Sequence, residues 1–160
     1  VLCSALLDLV SASWFERFVA ALRTPFLAGL SVDGRDAWLP RHPADAIATA
    51  GFRRDQGRDK GFGIALGTHA PSVARRALAA RGFAVISAPA DWRVPRSALR
   101  MARALVHGRA DGARAARPAH HAAITRWEAA RLRQASRGRL AIRVGHRDLL
   151  ALPDALPPAR

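Results

Sequence analysis

Apolar residues near the start of the chain recur with helical spacing. In the segment 14–22 they fall at i, i+3, i+4 and i+7, which predicts an amphipathic helix with Ser11 or Ser13 as its N-cap. The apolar face of this helix comprises Phe15, Phe18, Val19 and Leu22. Residues 1–10 fit the end of a buried strand that runs into a helix, although periodicity does not separate strand from helix in so short an apolar run.

The next two apolar segments are predicted as a strand and a helix. Residues 26–32 have the length of a short strand, and the strong turn dipeptide Asp33-Gly34 follows them. A brief return through 37–39 is expected after this turn. From 43 to 52 the apolar spacing favours a helix with an acidic residue near the positive end of its dipole.

A helix, a glycine and an apolar strand follow one another in the middle of the chain. The segment 72–81 is predicted as a basic amphipathic helix that ends at Gly82, and 83–87 as a strand. This succession is typical of the second half of a βαβ crossover, which joins parallel strands and places helices on the faces of the sheet. The expected fold class is therefore α/β, with a mostly parallel sheet and helices on both of its faces.

The last third of the chain is predicted to contain two long helices and a strand. The helices span 97–110 and about 119–137, and the imperfect alternation in 139–152 indicates one strand with a bulge at Gly145. Residues 153–160 contain three prolines, so we expect a tail that does not continue a sheet.

The stretch GFGIALG at 61–67 has the composition of a phosphate-binding loop. A dinucleotide-binding turn directly follows a buried strand, however, and residues 53–60 are too charged to form one. The glycine spacing also differs from that fingerprint, and no Lys-Ser or Lys-Thr pair suggests a P-loop. We therefore interpret the stretch as a loop between elements or a helix stop.

The net charge and the composition of the chain raise the question of a nucleic-acid partner. The chain of 160 residues has a net charge of +14, and 25 of its 26 basic residues are arginine, with Lys60 the only lysine. Clustered cations favour binding to phosphate backbones. The basic residues are spread along the chain, however, and tyrosine, a common stacking side chain, is absent. The use of arginine in place of lysine is typical of the general effect of genome composition. Nucleic-acid binding is therefore kept as the alternative and not as the first hypothesis.

Other motifs exclude several classes of function. Cys3 is the only cysteine, so the chain has no internal disulfide and no cysteine-cluster metal site. No Gly-x-Ser-x-Gly elbow signals a hydrolase, and the adjacent His120 and His121 point in different directions on a helix. No metal site and no catalytic residue is assigned. Because no signal peptide and no apolar run of membrane-spanning length is found, we expect a cytoplasmic protein.

Five local phrases are spread over essentially the whole chain. They are SALLDLVS at 4–11 followed by Trp14, LSVDGR at 30–35 with Trp38, RDKGFGIALG at 58–67, SAPADWRV at 87–94 and GHRDLLAL at 145–152. Together they resemble class I S-adenosylmethionine-dependent methyltransferases, and more narrowly a bacterial group within that class.

The resemblance implies a partial Rossmann-like sheet. Residues 1–152 would form the C-terminal portion of a methyltransferase domain, from its fourth strand onward, and 153–160 a Pro-rich tail. The glycine loop and the acidic residue that hold the cofactor in this family would lie upstream of Val1. GFGIALG would fall between the fifth strand and its crossover helix, in a region that shapes the acceptor pocket.

The resemblance also implies roles for single residues. The cofactor is expected to be S-adenosyl-L-methionine, and the stretch beside its methionine part comprises Cys3, Ser4, Ala5 and Leu6. Asp8 is expected to orient the methyl acceptor, with a capping role as the alternative. The remaining substrate-side residues are Trp38, Arg58, Asp59, Lys60 and Phe62.

The expected function is therefore methyl transfer from S-adenosylmethionine to a small-molecule acceptor. This reaction is an in-line displacement that depends on alignment, and it needs a general base only where the acceptor must lose a proton. Taken alone, residues 1–160 are expected to bind the cofactor poorly. Two alternatives stay open, namely a basic nucleic-acid-binding or adaptor domain, and a non-catalytic methyltransferase remnant whose exposed first strand pairs with a partner chain.

Overall fold

The computed structural model describes residues 1–153, and the chain forms two compact units. Unit 1 comprises Val1–Gly34, Gly57–Asp91 and Gly145–Arg160, and unit 2 comprises Arg35–Gln56 and Trp92–Val144. The chain therefore passes between the units four times. Length alone favours one domain, and these repeated crossings leave no single linker in the sequence that would indicate two. The assignment of 1–152 to a methyltransferase domain stays a prediction.

Strands and helices alternate along the described residues. In chain order they are β1 (Leu2–Ser4), α1 (Ala12–Ala21), β2 (Phe26–Val32), β3 (Ala37–Leu39), α2 (Asp45–Gln56), α3 (Ala70–Ala79), β4 (Phe83–Pro89), β5 (Trp92–Val94), α4 (Leu99–Ala116), α5 (His121–Ser136), β6 (Ala141–Val144) and β7 (His146–Pro153), with short 3-10 turns at Gly67–His69 and Pro118–His120. The α/β class is confirmed in this general sense.

Unit 1 is built on a four-stranded mixed sheet. Its strand order is β1-β2-β7-β4, in which β1 and β2 are parallel and β7 is antiparallel to both β2 and β4. Three strands thus point in one direction, but only one of the three ladders is parallel. The expected mostly parallel sheet is wrong, because β7 returns between β2 and β4 and converts their pairing to antiparallel ladders.

Both helices of unit 1 contribute to one core. Phe15 of α1 and Leu78 of α3 pack with Phe26 of β2 and Leu149 of β7, and all four side chains are buried. The strand residues that point the other way are exposed, including Ile86 at 60%. The expectation of helices on both faces is therefore wrong for this sheet. The expectation rested on the succession of helix, glycine and strand at 72–87, which does not by itself fix the face on which a helix packs.

Unit 2 packs three helices against a smaller antiparallel sheet of order β3-β6-β5. Its core contains Trp38 of β3, Trp127 of α5 and Ile142 of β6. Two arginines are buried there as well, and each forms an ion pair with an aspartate: Arg109 with Asp36 and Arg131 with Asp45. Removal of these charges from water is tolerable because each guanidinium has a carboxylate partner.

The segment 139–152 forms two strands instead of one. Residues of β6 belong to the sheet of unit 2 and those of β7 to the sheet of unit 1, and Gly145 lies at the boundary between the two units. Pro153, assigned above to a tail, ends β7 opposite Phe83. The rest of the expected tail, 154–160, lies outside the described residues.

Candidate functional site

The carboxyl ends of β1, β2 and β4 meet at one edge of the unit 1 sheet. The N-terminal end of the antiparallel β7 lies at the same edge, because β7 runs in the opposite direction between β2 and β4. Ligands of open α/β sheets bind outside the carboxyl ends of the strands. This carboxyl edge is the candidate functional site.

The predicted cofactor segment leaves β1 at this edge. Ser4 lies opposite Gly29 of β2, and the Ala5 N–H donates to the Gly29 carbonyl at 3.0 Å. Ala5 has φ of 49°, so the chain turns sharply directly after the strand. Ser4 and Ala5 are exposed, whereas Cys3 is half-buried and burial raises the pKa of its thiol, which favours the protonated form.

Asp8 follows this turn and carries a carboxylate oxygen without a partner. Its Oδ1 atom is buried and forms no hydrogen bond. Burial raises the pKa of Asp8, and its own backbone hydrogen bond and the positive charges of Lys60 and His146 act in the opposite direction. Asp8, Lys60 and His146 therefore lie close enough to influence one another electrostatically. A buried carboxylate oxygen without a hydrogen-bond partner is suited to receive a hydroxyl or amino group of a ligand.

The glycine-rich stretch 61–67 is joined to the turn that carries Asp8. Gly67 N–H donates to the Asp8 carbonyl at 3.0 Å, and Leu66 N–H donates to the Val10 carbonyl at 2.8 Å. The stretch lies between α2 and α3 and does not directly follow a strand. Its interpretation as a loop is confirmed, and its backbone supports the Asp8 turn.

Asp59 and Phe62 form contacts that organise the loop. Asp59 Oδ1 accepts from the Gly61 N–H at 2.7 Å and from the Gly63 N–H at 3.0 Å. Phe62 contacts Trp14 edge to face, with ring centroids 6.0 Å apart. Arg58 is exposed at the start of the loop. Of the predicted loop residues, Lys60 is the one whose charge acts on Asp8.

Trp38 belongs to the core of unit 2. It is 5% exposed, stacks edge to face on Trp127 at 5.3 Å, and lies under the guanidinium of Arg109 at 5.1 Å. A side chain so enclosed offers no surface to a substrate. The structure thus places Cys3, Ser4, Ala5, Leu6, Asp8 and Lys60 within unit 1 and leaves Trp38 outside it.

Several polar residues of the carboxyl edge were not predicted. Ser31 and His146 are both buried, and the Ser31 Oγ has no hydrogen-bond partner. Asp148 Oδ1 accepts from the backbone N–H of Leu30 at 2.9 Å, where Leu30 has φ of 55°. The sequence signal was weak, since these residues lie inside apolar strands, and the phrases at 30–35 and 145–152 include them without indicating a role for any of them.

A polar cavity of about 370 Å³ opens at the same edge. Arg147 of β7 is oriented there by Ser87 of β4, with Nε donating to Oγ at 3.0 Å. Arg75 of α3 also lines the cavity, and neither arginine forms an ion pair among the described residues. Asp33 is the acidic residue in the lining. The cavity has the groups to hold a small polar molecule.

The comparisons with known proteins add no family. No protein-family model matches the chain, and no curated protein has significant sequence similarity to it. Among residues 1–153, no three histidine, cysteine or acidic side chains come together as a metal site. Within the same residues, no helix has both the length and the apolar composition to cross a bilayer.

Proposed function

We propose that the chain is part of an S-adenosylmethionine-dependent methyltransferase that acts on a small-molecule acceptor at the carboxyl edge of unit 1. The observation that carries the proposal is the buried, unpartnered Oδ1 atom of Asp8, one short turn after the strand that the family resemblance aligns with the cofactor. An unpaired buried carboxylate oxygen is costly in a protein without a ligand, and its presence at a strand end supports a binding role.

The connection of the first strands supports the same proposal. β1, α1 and β2 form a βαβ unit with a parallel ladder, which corresponds to the fourth strand, its helix and the fifth strand of the resemblance. β4 and β7 then correspond to the last two strands. On this interpretation the sheet is the second half of a Rossmann-like methyltransferase sheet.

The exit from β1 is accessible, and the methionine part of the cofactor is proposed to lie beside it. Ser4 and Ala5 are exposed, and a Cβ built on the neighbouring Gly29 would lie at ordinary van der Waals distance, 3.8 Å, from Ser4 Oγ and from Asp148 Oδ1. When bound, S-adenosylmethionine supplies an electrophilic methyl group. The residues of this chain hold and align the acceptor.

Asp8 is the group that orients the acceptor. Its Oδ1 atom accepts a hydrogen bond from the acceptor's hydroxyl or amino group and fixes the direction of the attacking lone pair. Alignment of this kind supplies much of the rate of an in-line displacement. Because burial raises the pKa of Asp8, the carboxylate is also a better proton acceptor than an exposed aspartate, which suits acceptors that must be deprotonated.

Calorimetric titration with S-adenosylmethionine tests the proposal. The complete product of the gene is expected to bind at micromolar concentration, and the 160-residue chain much more weakly. Ser4→Glu in the complete product is expected to weaken binding at least tenfold, because it places a charge beside the methionine carboxylate. Ser97→Glu, at a serine of unit 2 that is also exposed, is the matched control and is expected to leave the affinity unchanged.

Two results would overturn the proposal. One is the absence of S-adenosylmethionine binding by the complete gene product. The other is equal affinity of the Ser4→Glu and Ser97→Glu variants. Micromolar binding by the 160-residue chain would separately overturn the expectation that the glycine loop for the cofactor lies outside these residues.

A further inference from the structure

The positive charge of the chain is concentrated in unit 2. Unit 2 contains seventeen arginines and five acidic residues, a net charge of +12, whereas unit 1 contains nine basic and seven acidic residues, a net charge of +2. The sequence alone suggested an even spread, because the segments of the two units alternate along the chain. A charge excess confined to one unit indicates a function of that unit.

Four of the five acidic residues of unit 2 form ion pairs with arginines that are buried or partly buried. Asp36 and Asp45 pair with the buried Arg109 and Arg131. Asp111 and Glu128 both pair with Arg114. These four carboxylates are thus engaged by Arg109, Arg131 and Arg114, and most of the remaining arginines of the unit are exposed.

Arginines are concentrated on the outer face of the unit 2 sheet. Arg93 of β5 lies directly opposite Arg143 of β6, and both are exposed. The alternate residues of the same strands, Val94 and Ile142, are buried against the helices. Both guanidinium groups therefore lie on the face of the sheet that an anion can reach.

Two adjoining cavities extend this face. The first, of about 340 Å³, is lined by Arg93 and Arg143 over a floor that includes Ala141 and Leu39. The second, of about 500 Å³, is lined by Arg96 and Arg139, and Leu39 lines it as well. Among residues 1–153, no acidic side chain lines either cavity. We call this surface the arginine face, comprising Arg93, Arg96, Arg139 and Arg143 around Leu39 and Ala141.

We propose that the arginine face binds single-stranded nucleic acid. Four guanidinium groups spread over two joined cavities match a ligand whose anionic groups repeat along a chain, and arginine pairs with phosphate in bidentate geometry. Leu39 is 51% exposed between them and gives the floor an apolar surface. Unpaired bases lie on such a surface and stack on guanidinium planes, which the paired bases of a duplex do not do. The proposal does not depend on methyl transfer.

Fluorescence anisotropy with a labelled twelve-nucleotide oligo-U and oligo-dT tests this proposal on the 160-residue chain. Binding is expected to weaken steeply with salt. The triple variant R93Q/R96Q/R139Q is expected to bind at least tenfold more weakly and to lower the slope of log K against log salt by about 2, at roughly 0.7 per lost phosphate contact. None of these three arginines forms an ion pair among the described residues.

The matched control is R100Q/R103Q/R126Q, which removes the same charge from exposed positions on α4 and α5 of the same unit. It is expected to change affinity less than threefold. Equal losses in the two triple variants, no binding by the wild type, or tighter binding of a duplex or of poly-glutamate would each overturn the proposal. Circular dichroism shows whether the first triple variant is folded. If it is unfolded, the single variant Arg96→Gln, which lies in a turn, replaces it and is expected to lower the slope of log K against log salt by about 0.7. An unchanged slope for this variant contradicts the proposal.

Discussion

A Cβ atom added to Gly51 would lie 2.8 Å from the Cβ of Ala113. Helices α2 and α4 approach each other so closely at this point that only glycine fits. We predict that Gly51→Ala destabilises the fold by about 1–2 kcal/mol, because overpacking costs about 1–3 kcal/mol and the better helix propensity of alanine returns less than about 1 kcal/mol. Urea unfolding measures the difference.

Gly108 of α4 is the matched control for this substitution. Nothing lies within 4 Å of a Cβ built there, so Gly108→Ala is expected to stabilise the protein by up to about 1 kcal/mol through helix propensity alone. Equal stabilisation by the two substitutions would contradict the close contact between α2 and α4 at Gly51.

Arg131 is fully buried and joins three parts of unit 2. Its Nη1 atom donates to the Pro40 carbonyl at 2.6 Å and to Gln134 Oε1 at 2.7 Å, and its Nη2 atom pairs with Asp45. Arg131→Ala is predicted to lower the free energy of unfolding by about 3–5 kcal/mol, because it leaves the Asp45 carboxylate without this partner. Unfolding in guanidinium chloride measures the loss.

Two variants separate this effect from a general loss of charge. Arg133→Ala removes an exposed arginine of the same helix and is expected to change stability by less than about 0.5 kcal/mol. Asp45→Asn combined with Arg131→Met removes both charges and is expected to recover part of the loss. A cost below about 1 kcal/mol for Arg131→Ala would contradict the role given to this ion pair.

Asp8 makes the stability of the protein depend on pH in a defined direction. Because burial raises the pKa of Asp8 above its ordinary value of 3.8, the folded state favours the protonated carboxyl. The stability that follows from this preference is present below pH 3.8 and is lost as the pH rises through the folded pKa. Asp8→Asn cannot ionise, so we predict a higher thermal midpoint than wild type at pH 7 and a gain that shrinks towards pH 4. An equal gain at both pH values would indicate that ionisation plays no part.

Leu30 is held in a left-handed conformation by Asp148. Loss of the acceptor in Asp148→Ala leaves the Leu30 N–H without this partner and is predicted to cost about 1–3 kcal/mol. Asp148→Asn keeps an oxygen acceptor and is expected to cost less.

Leu30→Gly relieves the left-handed strain at φ of 55°, so chemical unfolding should show a smaller loss there than for a glycine placed elsewhere in β2. A larger loss would contradict this strain.

Local patterns predicted the elements that end at strong signals. β2 spans the predicted residues 26–32, since the Asp33-Gly34 turn fixes its end, and Ser11 caps α1 through a hydrogen bond from the Trp14 N–H at 3.2 Å. The division of 139–152 into two strands was missed. The alternation of apolar and polar residues is the same whether a strand stays in one sheet or is followed by a strand of another sheet. Only the pairing with strands far along the chain distinguishes the two cases.

The candidate site was predicted in part for the same reason. Asp8 and Lys60 lie in turns and loops, where a polar residue attracts attention in the sequence. His146 and Ser31 were missed because their burial comes from tertiary packing of strands that pair far along the chain. Trp38 was assigned to a pocket, yet an aromatic residue on a short strand is equally suited to a core, and the packing of Trp127 and Arg109 around it decides the matter.

Amide hydrogen exchange of the complete gene product, with and without S-adenosylmethionine and followed by mass spectrometry, tests the central claim most directly. We predict that the cofactor slows exchange in peptides covering 3–10 and 64–67, since the turn that carries Asp8 and the stretch bonded to it lie at the proposed site. Protection of unit 2 alone, or unchanged exchange in 3–10 at saturating cofactor, would contradict the placement of methyl transfer at the carboxyl edge of unit 1.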